Sequence, residues 1–299
     1  MTFYFPGQVD VRAEVIDETL KGFAKRKYKM KQLVNVETTG AWINYFFRAD
    51  PNILSANRNA NVRGVPRGAA YPQAATLFEK VRTDIEKYGL QDAIPWEDII
   101  SGQVNIRDQT LMRIAEGVTY AVDTQIFSGL TSETTVLTFN TRSYAGVSTT
   151  GWAWNHATAA SVTIADDLEY AEELIASSPG YYDTSNLLVA VSPKDKRSVM
   201  RYLLANGAQI PQITNEALGN SNGVIGRLGN KTFIVSPVVT ASTALVVVPK
   251  VCATWKELYP LTTDVTTTPL KNVTITAAEL GVLQVTDPKA ICWIRGTQV

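Results

Sequence analysis

The stretch from Asn105 to Gly129, NIRDQTLMRIAEGVTYAVDTQIFSG, limits the chain more than any other. Its apolar residues recur at Leu111, Ile114, Ala115, Val118, Ala121, Val122 and Ile126, a stripe of helical period on one face. Asn105 is placed to cap the start, with Asp108 three residues on as its acidic partner. Gly129 stands where a left-handed residue would end the helix. A helix of this length spans roughly 36 Å at 1.5 Å per residue, long enough to act as the beam of an elongated subunit. Gly117 in its middle costs about 1 kcal/mol against alanine. It marks either a point of close packing or a weak spot.

The segment before this helix has the opposite character. LVNVETTGAWINYFFRAD has strand composition, with Val34, Val36, Trp42, Ile43, Tyr45, Phe46 and Phe47. ADPNILSANRNANVRGVPRGAAYPQAA follows, punctuated by Pro51, Gly64, Pro66, Gly68 and Pro72. It has little from which to build a core, and so long a loop does not suit the inside of a compact domain. It makes sense if it lies on a neighbouring molecule. TLFEKVRTDIEKYGLQDAI returns with apolar residues alternating at Leu77, Val81 and Ile85, which reads as strand with a helix not excluded. Residues 1–32 read as an arm, with a helix near Ala13–Phe23. The basic residues Lys21, Lys25, Arg26, Lys27, Lys29 and Lys31 suit either an acidic or nucleic-acid partner or a solvated helix end.

Beyond Gly129 a Thr-rich stretch leads to a second helix, capped by Thr163 and Asp166 and faced by Leu168, Ala171, Leu174 and Ile175. NLLVAV reads as a fully buried strand, and Ser192-Pro193 opens a third helix with a cap and an N1 proline. Helices therefore lie against a central sheet. GVIGRLGNKTFIVSP gives two short strands about a Gly-Asn turn; ALVVVPKVCATW and the run from Leu261 onward are β-prone.

Composition removes several function classes. Of 299 residues, 45% are hydrophobic and 19% charged, enough for a folded core. Lys plus Arg and Asp plus Glu are 28 each, so the chain as a whole has no charge to attract nucleic acid or an anionic membrane. Cys252 and Cys292 sit in apolar runs and read as small buried hydrophobes. The single histidine, His156, shows no catalytic motif and cannot build a multi-histidine metal site. No cofactor or metal is expected. The start lacks the pattern of a signal peptide, and no run reaches the 18 apolar residues of a membrane span. The expectation is a soluble protein made in a cytoplasm, without a membrane partner. Gly223-x-x-Gly226-x-x-Gly229-Asn230-Lys231 has the wrong spacing for a phosphate loop and leads into β-structure. Asp166-Asp167 and Glu172-Glu173 fit helix capping, dipole matching and solvation.

The order of these parts resembles the major capsid proteins of tailed double-stranded DNA viruses that share the HK97 fold; the encapsulin shell proteins are built alike. The resembling phrases are IPWEDI before the long helix, AVDTQIFSG at its end, LLVAVSPKDKRSVM, GVIGRLGNKTFIVSP and the closing TDPKAICWIRG. The resemblance implies an α+β HK97-like capsid fold. Its parts would be an N-terminal arm (1–32), an extended β-loop (33–94), a peripheral domain with the spine helix (95–150), an α/β apical domain (151–250) and a return to the peripheral sheet (251–299). It implies a structural role in the virion, not an enzymatic one. Homo-oligomeric hexamers and pentamers, assembled in the host cytoplasm, would close an icosahedral shell around DNA held without sequence specificity. Scaffolding, portal and decoration proteins would be separate partners. Some family members weld subunits through a loop lysine, but no lysine occurs between Leu33 and Glu79, so contacts here should be non-covalent. An encapsulin-type compartment remains an alternative, as does a soluble α/β enzyme working through carboxylates and hydroxyls.

The residues expected at inter-subunit contacts are Arg58, Arg63, Arg67, Glu97, Asp98, Trp42, Phe46 and Phe47. An arginine on a coreless loop is either solvated or paired with a carboxylate across an interface, where its fork suits bidentate pairing. The aromatic residues, Tyr45 among them, are expected as packing or interface anchors.

Overall fold

The computed structural model of the chain describes residues 28–49, 66–70, 78–97, 106–133, 135–141, 153–156, 164–178, 180, 182–206, 224–269 and 271–298. The long helix is α1, Ile106–Ser132. Leu111, Ile114, Ala115, Val118, Val122 and Ile126 are buried, as the stripe predicts, whereas Ala121, also counted in the stripe, is exposed. The helix does not stop at Gly129. Leu130 extends the stripe four residues past Ile126 and is fully buried. Burying a leucine stabilises by roughly 1.5–3 kcal/mol, more than the ~1 kcal/mol cost of a helical glycine. Gly117 is a point of close packing: a Cβ there would lie 2.9 Å from Leu90 Cδ2. The expected cap at Asn105, and the side chain of Asp108, lie outside the described residues, as does Thr163.

The strands follow in chain order: β1 (Asn35–Thr38), β2 (Ile43–Ala49), β3 (Phe78–Asp84), β4 (Glu86–Pro95), β5 (Leu137–Asn140) and β6 (Leu187–Val191). Then come β7 (Val224–Leu228), β8 (Lys231–Val235), β9 (Thr243–Val247), β10 (Ala253–Thr268), β11 (Asn272–Val285) and β12 (Ile291–Arg295). Two more helices, α2 (Ile164–Ser177) and α3 (Pro193–Asn206), flank β6 in sequence.

A four-stranded sheet runs β1-β10-β11-β4, and α1 packs on β4 and β11. Burial alternates along β11, so Val273, Ile275, Ala277 and Glu279 share its inner side. A six-stranded sheet runs β5-β12-β9-β6-β8-β7. Here β6 is the buried strand expected from its continuous apolar run. At the start of α3, Ser192 Oγ accepts from the Asp195 amide at 3.2 Å and donates to Asp195 Oδ2 at 2.6 Å. The turn between β7 and β8 places Gly229 at φ +63°, the left-handed conformation that favours glycine at the first position of a tight hairpin turn. The third sheet is the hairpin β2-β3.

The pairing redraws the expected segment boundaries. Within 33–94, β1 and β4 belong to the four-stranded sheet, whereas β2 and β3 pair with each other. ALVVVPKVCATW is two strands in two sheets, separated at Lys250, whose φ is +65°. Residues 251–299 do not all return to one sheet. β10 and β11 do, but β12 inserts between β5 and β9, parallel to the first and antiparallel to the second. The apolar run of β12 explains this, because Ile291, Cys292 and Ile294 are fully buried.

Candidate assembly surface

The hairpin β2-β3 has two unlike faces. The register pairs Ile43 with Asp84, Tyr45 with Arg82, Phe47 with Lys80, Asn44 with Thr83, Phe46 with Val81 and Arg48 with Glu79. Directly opposed residues share a face, so Ile43, Tyr45 and Phe47 lie with Lys80, Arg82 and Asp84. On that side Tyr45 is 56% and Phe47 62% exposed, and Trp42 just before the strand is 61% exposed. The Lys80 ammonium sits 4.4 Å from the centre of the Tyr45 ring.

The other face is spent on the chain's own body. Both terminal nitrogens of Arg48 donate to Glu133, just past the end of α1, each at 2.8 Å. Gln284 Nε2 on β11 donates to Thr83 Oγ1 at 2.9 Å. Phe46, grouped above with the interface anchors, is only 8% exposed. This is a correction: strand parity turns Phe46 inward beside Val81 and Arg48, while Phe47 turns out.

The other expected contact residues separate. Arg67 is exposed in a turn with Gly68. Glu97 is exposed just beyond β4, where the Trp96 amide donates to Lys271 O at 3.1 Å. Arg58, Arg63 and Asp98 lie outside the described residues. Trp42 and Phe47 are thus brought together on one hairpin, and Glu97 sits at the far end of β4 from the turn into β3.

Where the N-terminal segment meets the body, two buried carboxylates hold it. Asp123, on the inner side of α1, accepts from the backbone amides of Lys29 (3.0 Å) and Met30 (3.1 Å). Burial pushes its carboxyl up to about 6, against the pull of those two amides and of Lys31. Glu279 is fully buried on β11. It accepts from Lys31 Nζ at 2.6 Å, Tyr28 Oη at 2.5 Å and Trp255 Nε1 at 3.1 Å. Lys31 also reaches Glu257 at 3.1 Å. Burial and the neighbouring Glu279 carboxylate push the Tyr28 phenol up. Lys31, read above as one cation of a basic arm, is therefore spent inside its own chain. The 3-10 turn Met30–Gln32 and the buried Met30, Leu33 and Val34 complete the attachment.

In the two acidic pairs on α2, Asp166 and Glu173 are exposed as expected, but their neighbours are not solvated. Asp167 is buried and accepts from Trp154 Nε1 at 2.7 Å. Glu172 accepts from Lys231 at 2.5 Å and from Asn230 at 2.8 Å, and these bonds hold its carboxyl below the usual range against a burial effect that raises it. Lys231 itself is almost fully buried. Both cysteines are buried free thiols, each pushed up to about 12 by burial. A mostly apolar hollow of about 580 Å³ lies between α1 at Gly117 and Tyr120 and the turn Ser236–Val238. Among the described residues no cluster of three or more His, Cys, Asp or Glu side chains could hold a metal ion, and no helix is long and apolar enough to cross a membrane.

The buried pairings had one readable signal. Asp123 falls on the apolar side of α1 beside Val122 and Ile126, and Glu279 continues the inward parity of Val273, Ile275 and Ala277. The Arg48–Glu133 contact had none, because its partners are 85 residues apart.

A family model described as phage capsid protein matches residues 78–294. The capsid of cyanophage P-SCSP1u is similar in structure, with a TM-score of 0.67 and 12% identity over 98% of this chain and 92% of that one. The virus-like particle from Pyrococcus furiosus gives a TM-score of 0.62 at 8% identity, over 96% of this chain and 100% of that one. A chain from Mycobacterium phage Che8 gives 0.59 at 14% identity, over 90% and 92%. No curated protein sequence matches the chain. At these identities the structural likenesses concern the fold.

Proposed function

This chain belongs to the phage capsid protein family and has an HK97-like capsid fold, and on that premise we propose that its copies form hexamers and pentamers that close an icosahedral shell around double-stranded DNA. Its work is mechanical, with no catalytic step, cofactor or metal of its own. Shells assemble in the host cytoplasm and persist as the virion capsid, with scaffolding, portal and decoration proteins as separate partners.

The observation that carries this reading is the two-faced hairpin. One side is bonded to Glu133, just past α1, and to β11, while the other presents Ile43, Tyr45 and Phe47 to solvent, with Trp42 exposed just before the strand. Clustered aromatic residues of this kind are what protein interfaces are anchored by. Lys80 beside them, and the Arg82–Asp84 pair on the same face, add charges that register a partner. The partner is a second copy, since a shell must repeat one contact at every subunit.

The test is the triple substitution Trp42→Ser, Tyr45→Ser and Phe47→Ser. All three residues are exposed, so the subunit should fold with little loss of stability. Negative-stain images should then show no closed shells where the unaltered protein forms them. Normal shells from the variant would refute the role of the hairpin. Nuclease-treated particles should contain double-stranded DNA, and a protein cargo in its place would mark an encapsulin-type compartment instead.

A further inference from the structure

Helix α3 carries Lys194, Lys196, Arg197 and Arg201 against a single acid, Asp195. The acid is turned inward and fully buried. Its carboxylate accepts from Ser192 Oγ (2.6 Å), Thr297 Oγ1 (2.8 Å) and Gln298 Nε2 (2.6 Å), so it ties residues 297–298 across the first turns of the helix. Lys194, Arg197 and Arg201 face the other way. With Asn155, Ser198 and Gln298 they line an open, polar hollow of about 450 Å³. Among the described residues no carboxylate lies within ion-pair distance of any of the three. The Arg201 guanidinium is held toward this hollow by a hydrogen bond to His156 O.

Folding does not ask for this arrangement. Cations in the first turns of a helix oppose its dipole, whose positive end lies there. The acid that could have offset them is committed elsewhere. A chain with no net charge has thus gathered around one hollow three cations that have no ion-pair partner among the described residues. The hollow also lacks what a protein partner needs: among the described residues no exposed large hydrophobic side chain falls on it.

We propose that this face of α3 is a binding site for the phosphate backbone of nucleic acid, with Arg197 and Arg201 as bidentate phosphate ligands and Lys194 as a third point charge. Guanidinium forks match phosphate oxygens in pairs, and an ammonium serves as a compact charge. Positions 194, 197 and 201 lie along one helix face over about 10 Å at 1.5 Å per residue, comparable with about three nucleotide steps of 3.4 Å. The contacts touch phosphates alone, so they carry no base preference. The proposal rests on the shell reading, since a protein that encloses nucleic acid meets it at high local concentration.

The experiment measures fluorescence anisotropy of a labelled short DNA duplex with unassembled subunits. Three phosphate contacts predict that affinity falls about 40-fold between 50 and 200 mM salt, from a slope of about −0.9 per contact. The variant R197Q/R201Q should bind more weakly and lose only about 3- to 4-fold over the same range. K87Q, which removes an exposed charge on β4, should behave as the unaltered protein. Circular dichroism checks that each variant is folded. The proposal is overturned if the unaltered subunits do not bind, if R197Q/R201Q keeps the full salt slope, or if polyglutamate displaces the duplex as well as unlabelled DNA does. Shell formation is scored separately by negative stain. Shells that form without duplex binding sink this site alone, whereas failure of the unaltered protein to form shells sinks the shell reading.

Discussion

Replacing Glu279 by Gln tests whether the N-terminal segment is held by a buried charge. In the native chain Glu279 Oε1 accepts from Lys31 at 2.6 Å and Trp255 at 3.1 Å, and Oε2 accepts from Tyr28 at 2.5 Å. Gln keeps one acceptor and the shape but removes the charge. Lys31 is then left mostly buried with only Glu257, at 3.1 Å and partly open to solvent. Breaking a buried pair costs about 3–5 kcal/mol. Lys31 can lean toward Glu257, so the lower end applies, about 3 kcal/mol. With a urea dependence of about 3 kcal/mol per molar for a chain of this size, the midpoint should fall by about 1 M. Fluorescence of the buried Trp255 reports the transition. Hydrogen exchange adds the location: the amides of Lys29 and Met30, held by Asp123 next door, should lose protection first. The control is Glu257→Gln, which removes a more exposed partner and should cost under about 1 kcal/mol. Equal midpoint shifts for the two variants would refute the reasoning, because the fully buried carboxylate would then contribute no more than the partly exposed one.

Three further outcomes follow from named contacts. Burial lifts the Asp123 carboxyl from 3.8 to about 6, so the folded state holds that proton more tightly than the unfolded chain. Its contribution to stability therefore grows as pH falls from 7 through 6 towards 4, by about 1 kcal/mol between pH 7 and 5. Asp123→Asn should lack that gain, and parallel pH profiles of the two proteins would refute it. Gly281→Ala places a methyl 2.6 and 2.7 Å from ring carbons of the buried Trp255 and should cost about 1–3 kcal/mol, read by thermal unfolding. Arg48→Ala should cost about 1 kcal/mol; it should loosen β2-β3 to hydrogen exchange and leave β11 protected.

Long periodic elements were legible in the sequence. The stripe from Leu111 to Ile126 announced α1, and the run at 187–191 announced β6. The end of α1 was not, because glycine is a local signal and the burial of Leu130 is a tertiary one. The aromatic run Tyr45-Phe46-Phe47 was legible as a strand, but an alternating strand cannot say which parity faces in. That was decided by Val81 and by Glu133, far along the chain. The placement of β12 was hidden for the same reason: its partners, β5 and β9, lie well upstream of it.

That placement affects when a nascent subunit is ready. A chain translated only as far as Val285 has both strands of the long β10-β11 hairpin, but β5 has no neighbour and β9 has an open edge. The six-stranded sheet is finished only after Ile291–Arg295 leaves the ribosome. Synthesis itself thus delays completion of this sheet, and half-made chains lack its interior strand β12.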